Sequence, residues 1–86
     1  MYLHLGNEVV IPQKDIVAII NTERSSSLDK TLETYRRNGK YDDNACQGMP
    51  AKTLIFTTDK VFLSCISTQT LLKRAEQKDL ILKEIL

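Results

Sequence analysis

Apolar and polar residues alternate over residues 2–5, with Leu3 and Leu5 on one side and Tyr2 and His4 on the other. A period of two suits a half-buried strand. Gly6-Asn7 tolerates positive φ and predicts a turn, and residues 8–11 then form a second short strand, giving a hairpin. Pro12 ends it because it lacks the N–H that a ladder needs. The β-branched run at residues 15–20, DIVAII, predicts a buried third strand. Helical spacing follows: Leu28, Leu32 and Tyr35 form one stripe, with Ser26 or Ser27 as the cap. Arg36 and Arg37 fall in the last turn, where cations suit the helix dipole, and Gly39 stands just past the end. A polar segment with Gly48 and Pro50 comes next, with a short strand near Tyr41 left open. Two β-rich runs, residues 53–58 and 61–66, flank Asp59-Lys60 as a hairpin. From Ser67 or Thr68, either of which can cap, the pattern is helical, with Leu71, Ala75, Leu82, Ile85 and Leu86 on one side.

This order predicts an α+β domain: a mainly antiparallel sheet of about five to six short strands, a mid-chain helix and a C-terminal helix. Eighty-six residues suffice for one domain, and one this small is only marginally stable. With three Tyr, two Phe and no Trp, the core is aliphatic. Leu80 and Ile81 lie outside the C-terminal stripe and widen its apolar arc with Ile85 and Leu86. Such a surface is either frayed and wet or packed on another subunit, and contiguous apolar surface favours the subunit contact.

Charge bears on function locally. The net charge is only +1, far from the strong positive balance of an obvious DNA-binding domain. Between Arg24 and Lys40, however, five basic residues face only Asp29 and Glu33, a surplus of three. Arg36, Arg37 and Lys40 cluster at a helix end, and Lys14 and Lys52 each open a β run beside a turn. Basic side chains at such edges are how phosphate oxygens are reached, although the helix dipole alone also favours Arg36 and Arg37 there.

Catalytic chemistry finds little support. The single histidine, His4, sits in a strand, and no G-x-S-x-G, P-loop or G-x-G-x-x-G is present. No cofactor is therefore expected, and His4, Cys46, Cys65, Asp42 and Asp43 lack zinc-ligand spacing. The adjacent Asp42 and Asp43 read as solvated loop carboxylates. Two cysteines are too few for a disulfide framework: Cys65 reads as a buried filler in a strand and Cys46 as a loop thiol, with a single bond between them left open. No signal peptide or membrane-length apolar run is seen, so the expected location is the cytoplasm.

The segments MYLHLG, DIVAII, KTLIFTTDKVFLSCIS and STQTLLKRA, in this order and spacing, resemble the RemA/RemB family of small bacterial extracellular-matrix regulators, RemB more closely. The resemblance covers residues 1–75 as a single domain and leaves 76–86 as a helical extension. It implies a LytTR-like fold and a cytoplasmic regulator of biofilm-matrix genes. It further implies a ring of subunits with DNA wrapped on a basic rim, so that a modest patch gains strength by repetition. Carried over residue by residue, Lys14 keeps a basic position before the third strand and Lys52 keeps another. Arg36-Arg37, with Lys40, overlies a basic helix end. Met49 and Pro50, however, replace an arginine pair. At ~1.5–3 kcal/mol per charge-assisted bond, that loss from every subunit weakens the grip on DNA. The alternative is an oligomeric protein-interaction module of the same fold, using the 49–50 loop and the apolar C-terminal arc.

Overall fold

The computed structural model describes residues 1–24 and 26–75. Strands β1 (Tyr2–Gly6) and β2 (Val9–Pro12) pair antiparallel as a separate two-stranded sheet. The turn places Gly6, Asn7 and Glu8 at positive φ, so the reversal lies one residue later than Gly6-Asn7 suggests. Pro12 is the last residue of β2, where its missing N–H costs no ladder bond.

After a 3-10 turn at Gln13–Asp15 come β3 (Ile16–Asn21), helix α1 (Asp29–Arg37), β4 (Tyr41–Asp42), β5 (Thr53–Thr57), β6 (Val61–Ser64) and helix α2 (Thr68–Arg74). The second sheet has the order β3-β5-β6-β4, antiparallel except for β4, which lies parallel to β6. The fold is thus α+β, as the pattern predicts, with six strands in two mainly antiparallel sheets.

The larger sheet is covered on both faces. On one, Leu3, Leu5 and Ile11 of the hairpin, Leu71 of α2 and Ala75 at its C-terminal cap pack on Ile16, Ile19 and Ile55. On the other, Leu28, Leu32 and Tyr35 lean on Ala18, Ile20, Leu54, Val61 and Leu63. The helical stripe is only half-buried, so α1 shields its face less completely than the hairpin shields the other. A bulge between Ile16 and Ala18 shifts the alternation. It puts Ile16 on the same face as Ile19 and turns Val17 outward, 55% exposed.

Polar contacts join the layers. Ser64 Oγ donates to the Leu5 carbonyl at 2.6 Å, tying β6 to the hairpin. Thr53 Oγ1 donates to the Ile66 carbonyl at 2.8 Å and lies 2.9 Å from Thr68 Oγ1 at the start of α2. Ser67 caps α2 by accepting the Thr70 N–H, one of the two sequence alternatives. For α1 neither serine alternative holds: residues Ser26–Leu28 form a 3-10 turn and Leu28 occupies the cap position without a side-chain bond.

Leu5 is wholly buried between hairpin and sheet. Leu5→Ala is expected to cost about 2–5 kcal/mol, read as a lower urea midpoint, whereas Val17→Ala leaves that midpoint nearly unchanged. Equal shifts for the two would contradict this packing.

Candidate functional site

The sheet order decides which basic residues can act together. Lys14 lies in the 3-10 turn that leads into β3, whose first residue pairs with Thr57 at the end of β5. The β5–β6 turn carries Lys60, and Tyr41 of β4 pairs with Val61 of β6, so Lys40 lies at that same end. Two bonds fix this edge: the Thr58 N–H donates to the Asp15 carbonyl at 3.0 Å and the Val61 N–H to the Lys40 carbonyl at 2.9 Å. Lys14 and Lys40 flank it across three strand spacings of ~4.8 Å, about 14 Å.

Arg36 joins this end through Tyr41. Its guanidinium stands 4.4 Å from the ring centroid and 3.3 Å from a Glu33 carboxylate oxygen. Tyr41 is the main cause of its raised pKa, with smaller pulls from Glu33 and Asp43, so the group stays charged at every pH the fold meets. Lys60 has a parallel seat: its Nζ lies 5.1 Å from the Phe62 ring centroid and 3.6 Å from Asp42 Oδ2. Asp42 is therefore a half-buried partner of Lys60 rather than a solvated loop carboxylate. Tyr41 and Asp42 are successive strand residues and face opposite sides, so two-residue β4 holds one cation on each face. Arg37 and Lys40 are exposed, with no side-chain partner among the described residues.

Lys52 stands apart. It precedes β5 at the far end of the β3–β5 ladder, where the Thr22 N–H donates to its carbonyl, about 20 Å along the strands from Lys14. It lines a small polar cleft of about 180 Å³ with Asn21, Glu23 and Ser67. The sheet thus gathers Lys14, Arg36, Arg37 and Lys40 and separates Lys52. Lys60 escapes sequence reasoning because it looks like an ordinary turn residue. Its place at this end follows only from the antiparallel order of β3, β5 and β6. The same end also carries Asp15, Asp42, Asp43, Asp59 and, on α1, Glu33, so its charge is mixed. The apolar arc at Leu80, Ile81, Ile85 and Leu86 lies outside the described residues.

The cysteines reverse their expected roles. Cys46 is buried and Cys65 only half-buried, because a 3-10 turn at Asn44–Cys46 folds Ala45 and Cys46 into the two cores. Burial first, then the nearby Cys65 and Asp43, push the Cys46 thiol up from its ordinary 9.0. Met49 is 62% exposed beside Pro50. Among the described residues no group of three or more His, Cys, Asp or Glu could hold a metal ion, and no helix is long and apolar enough to cross a membrane.

These features define a small two-sheet α+β domain whose most concentrated chemistry is a row of charged residues along one sheet end. The chain belongs to the RemA-like family, described as extracellular matrix regulatory protein A-like, which matches residues 2–75. It is also similar to Extracellular matrix regulatory protein B of Bacillus subtilis (strain 168), with 28% identity over 76 residues, 88% of this chain and 91% of that protein. Both names are those of regulatory proteins.

Two outcomes follow from the site. Tyr41→Ala removes the seat of Arg36, so the side-chain NH signals of Arg36 should lose their ring-current shift in NMR spectra. Unchanged signals would contradict the stacking. For Cys46, a raised folded pKa means that the folded state holds its proton longer than the unfolded chain. Its contribution is complete below about pH 9 and lost as pH rises through the higher folded value. Stability should therefore fall more steeply above about pH 9 in the wild type than in Cys46→Ala, as measured by urea denaturation across that range.

Proposed function

We propose that the protein regulates extracellular-matrix gene expression as a cytoplasmic homo-oligomer, a ring or similar closed array, that grips the DNA backbone. The observation that carries this reading is the gathering of Lys14, Arg37, Lys40 and Lys60, with Arg36 beside them, at one end of the sheet. Family membership supports the regulatory role. One copy of an end that also holds five carboxylates binds phosphate weakly. Joining copies makes the later contacts intramolecular and raises avidity without any new contact. Lys52, at the opposite end, reaches the same DNA only where a second subunit lies alongside. The subunit contact is assigned to Leu80, Ile81, Ile85 and Leu86, with Tyr2, Val10 and Val17 adding exposed apolar surface. Cations of this kind read phosphate rather than base edges, so sequence preference rests on DNA shape and bendability.

The mixed charge of the sheet end, together with Met49 exposed where the family resemblance has arginine, favours a second reading: an oligomeric module that binds a protein partner. Fluorescence anisotropy on duplex DNA over a range of salt separates the two. The DNA reading predicts that log affinity falls linearly with log salt, with a slope of ~0.9 per phosphate neutralised. Arg37→Glu and Lys40→Glu should weaken binding and flatten that slope, and Lys52→Glu should do so less. No binding at low salt contradicts the DNA reading and favours the protein partner.

A further inference from the structure

The register of β4 against β6 brings the two cysteines level. Tyr41 lies opposite Val61 and Asp42 opposite Phe62. Cys46 lies four positions beyond Asp42, three of them in the compact 3-10 turn at Asn44–Cys46 with its ~2 Å rise per residue, and Cys65 lies three positions beyond Phe62, just past the end of β6. Cys46 and Cys65 therefore end at a similar height. They also share a face: Val61 and Leu63 point to the α1 side, Cys65 continues their alternation, and both cysteines pack in that same apolar cluster. Each is close enough for the charge of Cys65 to be felt at Cys46.

We propose that Cys46 and Cys65 are a redox pair, converted by a low-molecular-weight disulfide into an intramolecular disulfide bond within the native fold. Cys65, the half-exposed thiol, reacts first. Its thiolate attacks one sulfur of oxidised glutathione, forming a mixed disulfide and releasing one glutathione thiolate, which takes up the proton that Cys65 lost. Cys46 then loses its proton to solvent, and its sulfur attacks the Cys65 sulfur. The Cys46–Cys65 bond forms as the second glutathione leaves and is protonated. Two protein thiols have given up two electrons, and one glutathione disulfide has become two thiols. The burial that holds the Cys46 proton slows the second step, and the fixed proximity of the two sulfurs offsets this.

The bond would staple the turn after β4 to the end of β6. Two ladder pairs join β4 to β6, and its Tyr41 and Asp42 seat Arg36 and Lys60. Oxidation would thereby stiffen the charged sheet end, whatever that end binds.

The test is incubation of the folded full-length chain with oxidised glutathione, followed by intact-mass measurement and peptide mapping. The expected product has lost two hydrogens, retains no glutathione, links the Cys46 and Cys65 peptides, and reverts with dithiothreitol. Cys46→Ala should stall with one glutathione on Cys65, and Cys65→Ser should stay unmodified over the same interval. A lasting glutathione adduct on the wild type, a disulfide-linked dimer, or two unreacted thiols at equilibrium would each overturn the pairing. The wild-type mapping decides the matter even if Cys46→Ala does not fold.

Discussion

Burial of the β5–β6 hairpin on both faces is the constraint on which the molecule depends. Leu54 and Ile55 are successive residues buried to opposite sides, so the larger sheet cannot stand with one layer alone. The first hairpin and α2 supply one cover and α1 supplies the other. In a chain of 86 residues each cover is a single element thick, which leaves little core in reserve. The buried Thr53, Ser64 and Thr68 hydroxyls find their partners across the same layers, so packing and polar satisfaction rest on one arrangement.

That arrangement also creates the charged edge. Because β3, β5 and β6 run antiparallel and β4 runs parallel to β6, residues distant in sequence arrive at one end of the sheet. Two of the cations there sit on aromatic faces beside carboxylates. These contacts fix where the charges are held more than they stabilise the fold, since exposed pairs of this kind contribute little. With so many carboxylates nearby, the proposed grip on DNA depends on repetition of this edge. Function in this reading is a property of the assembly more than of the subunit.

The sequence reveals those parts of the fold that have a period. Alternation at residues 2–5 and the β-branched run at 15–20 mark β1 and β3, and the helical stripe of Leu28, Leu32 and Tyr35 marks the buried side of α1. Two residues have no period, so β4 stays indistinct, and a bulge such as that at Val17 leaves no local signature. Ser26 and Ser27 look like caps but turn as a 3-10 helix first. Cys46 looks exposed because its neighbours are polar, yet the turn that buries it is set by the sheet edge behind it. Of the basic residues, the helix-end group is legible locally, while the company of Lys14 and Lys60 and the isolation of Lys52 are consequences of strand order.

The central claim is that a nearly neutral subunit becomes an effective DNA ligand by repetition. Molar mass in solution by multi-angle light scattering, at tens of micromolar protein, tests it most directly. The account predicts a single closed oligomer of several subunits that persists on dilution. A mass equal to one chain across the whole range would contradict it.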